Sequence, residues 1–159
     1  MSKTTPAVCA TLEIEDLYTK SGNTLSDLFM LQKDIQENVY NYNFDALRSG
    51  PLSKMHEFIA WNIQAQHSEI QEGLEALGGV KHGIGAGIWK PWKSNHKLAE
   101  TMTFNEMHVD DKKELKMEYI DELHFLFNKM HAVGMTPEEL FNFYFAKNLE
   151  NRKRQENNY

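Results

Sequence analysis

The chain has 159 residues, 41% of them hydrophobic and 25% charged, the composition of one ordinary globular domain rather than a disordered tail or two full domains. Seventeen Lys and Arg stand against 23 Asp and Glu, a formal net charge of −6. That balance excludes a general nucleic-acid binder with a broad basic footprint, but not a phosphate ligand, because bound cations invert a local field. Cys9 is the only cysteine, so neither a disulfide framework nor a CxxC metal knuckle is expected. The first 16 residues, MSKTTPAVCATLEIED, carry no apolar signal-peptide core. No run approaches the roughly 18 apolar residues of a membrane span. The expectation is a protein of a reducing cytoplasm with no membrane partner.

In chain order, residues 1–23 read as an N-terminal tail, with a short helical turn over 11–23 that Ser21-Gly22-Asn23 ends. From Thr24 the apolar positions Leu25, Leu28, Leu31, Ile35, Val39 and Tyr42 recur at threes and fours, a helical period. Arg48-Ser49-Gly50-Pro51 is a stop signal. A second helix is expected from Ser53 to Leu77, with Ile59, Ile63, Gln66, Ile70, Leu74 and Leu77 on one stripe and Gly78-Gly79 past its end. Residues 78–109 form a Gly- and Trp-rich insertion, with a short helix expected near 95–107. A third long helix is expected over Asp110–Ala132, closed by Gly134. The fourth begins at Thr136-Pro137-Glu138-Glu139, a capping box with Pro at the first helical position. No segment alternates with period two. The expected fold is all-α, four to five long helices in a bundle, with residues 24–159 as a single domain.

Two of these helices carry paired acids. Glu69 and Glu72 are spaced i, i+3, and share a stripe with Phe58, Trp61 and Ala65. Glu118 and Asp121 repeat the spacing, in line with Phe125 and Asn128. Such pairs are common on solvated helix faces. Four converging carboxylates would instead suit hard divalent cations, which take oxygen ligands and share them with substrate phosphates. The last helix places Tyr144, Lys147, Asn148, Asn151, Arg154 and Gln155 within a wedge of roughly 120°. Cations and amides on one face suit a phosphate with a polar attachment. The bland alternative is a solvated face at a frayed end.

Together, Glu69-x-x-Glu72, Glu118-x-x-Asp121 and the segment Tyr144-Phe-Ala-Lys147-Asn148-Leu-Glu-Asn151-Arg-Lys-Arg154-Gln155 resemble the all-α nucleoside triphosphate pyrophosphatases. Within them the chain is most similar to the dimeric dUTPases and the bacteriophage dCTP/dUTP pyrophosphatases. The resemblance covers about residues 25–159. It implies hydrolysis of a pyrimidine deoxynucleoside triphosphate, dCTP or dUTP, to its monophosphate and pyrophosphate, by water attack on the α-phosphorus. It implies two or three Mg²⁺ ions, with Mn²⁺ as a substitute, held by Glu69, Glu72, Glu118 and Asp121. Glu69, with Glu72 as rival, would orient or deprotonate the water. Gln32, Gln36 and Trp61 would meet the base or wall its pocket. Lys147, Asn148, Asn151 and Arg154 would meet phosphates, sugar or base. A homodimer in a host cytoplasm is also implied.

The chain departs from that pattern in two places. The gap between Glu72 and Glu118 holds 45 residues, longer than in typical dimeric dUTPases, and position 36 is Gln where many have Asn. Lys90 and Lys93, beside Trp89 and Trp92, would form a lid, or else a loop pinned by buried indoles. His124 is expected as a buried, hydrogen-bonded histidine pointing away from Asp121. Phe141, Phe143, Tyr144 and Phe145 are expected in the core or a subunit interface. Two rival readings stand beside this one: a purine or broad MazG-like pyrophosphohydrolase, and a non-catalytic helical binding protein.

Overall fold

The computed structural model describes residues 22–79 and 84–156. Among them every regular element is helical and no strand occurs. The elements are α1 (Thr24–Asp34), a π-helical turn (Ile35–Val39), α2 (Phe44–Ser49) and α3 (Leu52–Ala76). Then follow α4 (Gly85–Trp89), α5 (His96–Thr101), a 3₁₀ turn (Phe104–Glu106), α6 (Val109–Ala132) and α7 (Pro137–Glu156). Four of them, α1, α3, α6 and α7, are long, in keeping with the all-α expectation. None is long and apolar enough to cross a membrane. The expected turn over 11–21 lies outside the described residues.

Local chemistry sets the ends. Asn23 accepts a hydrogen bond from the Ser26 amide at 3.2 Å, and Asn43 one from the Ala46 amide at 2.8 Å, each as an N-cap. Thr136 and Glu139 form the expected capping box, with reciprocal bonds of 3.0 and 3.1 Å. Helix α6 ends in a Schellman motif. The Gly134 amide donates to His131 O and the Met135 amide to Met130 O, both at 3.0 Å, with Gly134 at φ 75°.

The first helix departs from expectation. It breaks after Val39, where Asn41 takes a left-handed φ of 59°, and α2 restarts behind the Asn43 cap. Asn tolerates that conformation and caps well, so two asparagines in three residues outweigh the apolar period. The expected apolar stripe also turns outward. Leu28, Leu31, Ile35, Val39 and Tyr42 are exposed, while Phe29, Gln32 and Gln36 are buried.

The chain divides into two compact units, each described by itself. One comprises Trp61–Leu126. Its buried apolar residues include Ile84, Met107 and Leu115. The other comprises residues 22–60 and 127–156 among those described. Its core joins Phe44, Phe58 and Ala132, flanked by Leu47 and Met55. Phe29 packs tilted against Phe127 at 4.5 Å and edge-on against His131 at 4.9 Å. His131 Nε2 donates to Phe29 O at 3.1 Å, and Arg48 donates to His131 O at 2.7 Å. Burial holds the His131 imidazole below its ordinary pKa, so it sits in this core as a neutral ring.

Candidate active site

The carboxylates come together inside the 61–126 unit. Glu69 and Glu72 project from α3 and Glu118 from α6, and ligand-capable oxygens of the three lie within 4.8 Å of one another. A Cβ added at Gly73 would meet the Glu118 Cβ at 3.6 Å, an ordinary contact, so the two helices lie side by side next to the acids. Trp61 and Phe125 meet edge to face at 6.2 Å on the same two helices.

The three acids differ in environment. Glu118 is buried, Glu69 half-buried and Glu72 exposed. Burial, then repulsion from Glu72, Glu114, Glu69 and Asp121, pushes the Glu118 carboxyl up to about 7. Burial, then Glu72 and Asp121, raises Glu69 as well, against a lowering hydrogen bond from Glu118. Below about pH 7 the protonated Glu118 carboxyl can donate to Glu69 in the metal-free protein. Glu72 accepts from Ser68 Oγ at 3.2 Å.

These residues fit a divalent cation. They offer hard oxygen donors from three side chains at one point, and burial together with neighbouring like charges raises Glu118 and Glu69. Asp121, the fourth expected ligand, lies alongside and not within the triad. It contributes charge to both Glu69 and Glu118, and its Oδ1 is 3.3 Å from His124 Nδ1. His124 thus departs from expectation, being half-exposed and turned back onto Asp121. On a helix a side chain leans over the preceding turn, so an i, i+3 partner is within reach.

The triad predicts a pH dependence. Glu118 titrates near 7 when folded and near 4.5 when unfolded, so its contribution is full below 4.5 and is lost as pH rises through 7. Metal-free protein should therefore lose on the order of 2 kcal/mol of stability from this group between pH 5 and 8, solvent at the open rim reducing the full shift. Thermal melts in EDTA across that range measure it. Added Mg²⁺ should flatten the decline at high pH, because a cation held by the ionised site stabilises the folded state.

The other expected residues are placed as follows. Lys147, Asn148, Asn151 and Arg154 are all exposed on α7, and Arg154 Nε pairs with Glu150 at 3.2 Å. Phe141, Phe143, Tyr144 and Phe145 on the same helix are exposed too, so they are not core. Gln32 and Gln36 are buried in the unit that holds α1. Trp61 keeps 59% of its surface. Lys90 Nζ lies 4.1 Å over the Trp89 ring. Trp89 and Trp92 are exposed, which removes the reading of a loop pinned by buried indoles.

Comparison with known proteins adds the decisive observation. Over 114 residues, 68% of this chain and 66% of its relative, the sequence is 38% identical to a dCTP pyrophosphatase of Enterobacteria phage LZ5. Over 152 residues, 92% of this chain and 89% of the relative, it is 28% identical to a dCTP pyrophosphatase of Enterobacteria phage T4. The chain is a relative of the phage dCTP pyrophosphatases. It is also 26% identical to a T4 DNA replication protein, of which it spans 36%. No family model and no solved structure matches.

Two contributors escaped the sequence motifs of this phage-enzyme relative. Glu114 presses on Glu118 one turn earlier on α6, and Glu122 presses on Glu69.

Proposed function

We propose that the chain hydrolyses dCTP, and dUTP with it, to the nucleoside monophosphate and pyrophosphate. The observation that carries this reading is the convergence of Glu69, Glu72 and Glu118 on one point, in a chain related to two dCTP pyrophosphatases. Those three acids, with Asp121 alongside, would hold two or three Mg²⁺ ions, or Mn²⁺ in their place. When bound, the cations supply charge neutralisation for the triphosphate and acidify water near the α-phosphorus.

The side chains do the rest. Glu69 is half-buried with a raised pKa, which suits a group that takes a proton from the attacking water. Glu72, exposed and held by Ser68, is the rival for that role. Lys147 and Arg154 would meet phosphate oxygens, and Asn148 and Asn151 phosphate, sugar or base. Gln32 and Gln36 would read the base edge, with Trp61 as a wall. Lys90 and Lys93 would close over the triphosphate. The exposed apolar residues of α1 and α7, Leu31, Val39, Phe141 and Phe145 among them, exceed what a monomer usually leaves to water and support a homodimer. The family relationship fits a host cytoplasm.

Purified protein incubated separately with dCTP, dUTP, dTTP, dATP and dGTP, in Mg²⁺ or in EDTA, tests the reading. Monophosphate and pyrophosphate should form from dCTP and dUTP in Mg²⁺ alone. Turnover confined to a purine nucleotide would leave the acids in place and reassign the base contacts. No turnover at all would favour a non-catalytic binding protein.

A further inference from the structure

One histidine closes the turn that carries Lys90 and Lys93. The Lys93 amide donates to Lys90 O at 2.9 Å, with Pro91 at the second position of the turn. Such a turn brings its first and last residues within about 7 Å, so the two lysines start from neighbouring points of the backbone. The Lys90 amide donates to Gly87 O at 3.4 Å, and the His96 amide to Lys93 O at 3.1 Å. The closing bond comes from a side chain. His96 Nδ1, at the start of α5, lies 2.8 Å from Gly87 O in α4, nine residues back. A carbonyl only accepts, so Nδ1 carries the hydrogen and donates. His96 Nε2 is 3.6 Å from Glu100 Oε1, one turn on in α5. Gly87 is buried, and a Cβ there would overlap the Asn95 side chain. The two limbs therefore meet at Gly87, against Asn95 and His96.

This segment is basic in a chain that is acidic as a whole. Residues 84–99 hold Lys90, Lys93 and Lys97 and no Asp or Glu. Lys90 and Lys93 make no ion pair among the described residues, and Lys90 Nζ rests over the Trp89 ring. The segment is rooted on the acid-bearing helices of the same unit. Gly78 packs against Ile84 and Ile88, and Gly79 against Asp111 in the first turn of α6. From Asp111 to Glu118 is seven residues of one helix, roughly 10 Å along its axis. Two ammonium groups presented together suit the pyrophosphate portion of a triphosphate, whose oxygens carry most of its charge.

We propose that His96 is a positioning residue for Lys90 and Lys93. Its tie to Gly87 O fixes the turn between them, so both ammonium groups act as one site for the pyrophosphate portion of the substrate. Without the tie the limbs part, and each lysine must be ordered separately when phosphate binds, a cost that a preset turn avoids. The tie acts on binding and not on the acids, so it belongs in KM rather than kcat. This rests on the proposed function, in which those lysines meet the triphosphate.

The test compares wild type with His96→Leu, His96→Asn and the double variant Lys90→Ala/Lys93→Ala, the last with and without His96→Leu. It measures kcat and KM for dCTP at pH 8 in Mg²⁺, affinities for pyrophosphate and dCMP by calorimetry, and folding by circular dichroism. Leu fills the space of the ring without a donor. It should weaken pyrophosphate binding and raise KM for dCTP about tenfold each, with kcat within about threefold and dCMP affinity within about twofold. Asn offers Nδ2 in place of Nδ1 and should bring both constants back to within about threefold of wild type. In the double-alanine background, His96→Leu should change pyrophosphate affinity by less than about twofold, because the pair it positions is gone. A folded His96→Leu that binds pyrophosphate as wild type does would overturn the tie and leave the proposed function standing. So would an equal loss in the double-alanine background, or an Asn variant no better than the Leu variant. If His96→Leu does not fold, Gly87→Ala decides, because its methyl group must displace Asn95 beside the tie. It should weaken pyrophosphate binding in the same way, and unchanged binding would overturn the tie. A wild type that turns over no dCTP, yet couples His96 to the lysines in pyrophosphate binding, would overturn the function alone.

Discussion

Glu118→Gln is expected to move stability and turnover in opposite directions. Burial, and then four neighbouring carboxylates, push the Glu118 carboxyl up to about 7. At pH 8 the native residue is mostly ionised among like charges. The neutral amide keeps the size and the donor towards Glu69 but removes that repulsion. In EDTA at pH 8 the variant should melt higher than wild type, by an amount on the order of 1–2 kcal/mol. It should also lose the Mg²⁺-induced rise in melting temperature. Turnover of dCTP should fall by a factor of about 10² or more, the scale of losing a group that stabilises charge in the transition state. Parallel melts and kinetics check both halves. A variant that melts lower than wild type at pH 8 would make Glu118 a structural residue. One that turns over normally would remove it from the chemistry.

Gly79→Ala should be the most damaging small substitution in the 61–126 unit. Gly79 has a φ of 58°, and a Cβ added there would overlap the Asp111 carboxyl, which is 2% exposed in the first turn of α6. The overlap is far inside van der Waals contact, and a buried carboxyl has nowhere to move without disturbing the start of that helix. The cost should be about 3 kcal/mol or more, adding left-handed strain to overpacking. Gly22→Ala supplies the control. Gly22 has a φ of 72° but nothing within 4 Å of the added carbon, so it should cost only about 1 kcal/mol. Urea unfolding of the two variants separates steric from conformational cost. Equal losses at the two positions would contradict the packing around Asp111.

Much of this was legible in the residues, and the reasons differ from place to place. The ends of α3, α6 and α7 are written in Pro51, Gly78, Gly134 and the Thr136–Glu139 box, signals that act within a few residues. The acids were legible because i, i+3 spacing fixes a common face. The π turn and the break at Asn41 were not, because the apolar period runs straight through them while two asparagines act locally. The outward turn of Leu28, Leu31 and Val39 also escaped. A period of threes and fours gives a face, but not whether that face meets its own chain or another surface. The buried carboxamides were a further surprise in kind. Gln32 and Gln36 stood out by family resemblance, but Asn128 is tied to Gln32 only by a contact across 96 residues.

The oxygen of the attacking water reports which phosphorus is attacked. The purified protein would be given dCTP and Mg²⁺ in ¹⁸O-labelled water, and the products weighed by mass spectrometry after a single turnover. One ¹⁸O should appear in dCMP and none in pyrophosphate, with no reaction in EDTA. Label in pyrophosphate, or release of orthophosphate with dCDP, would place the attack on another phosphorus and contradict the proposed reaction.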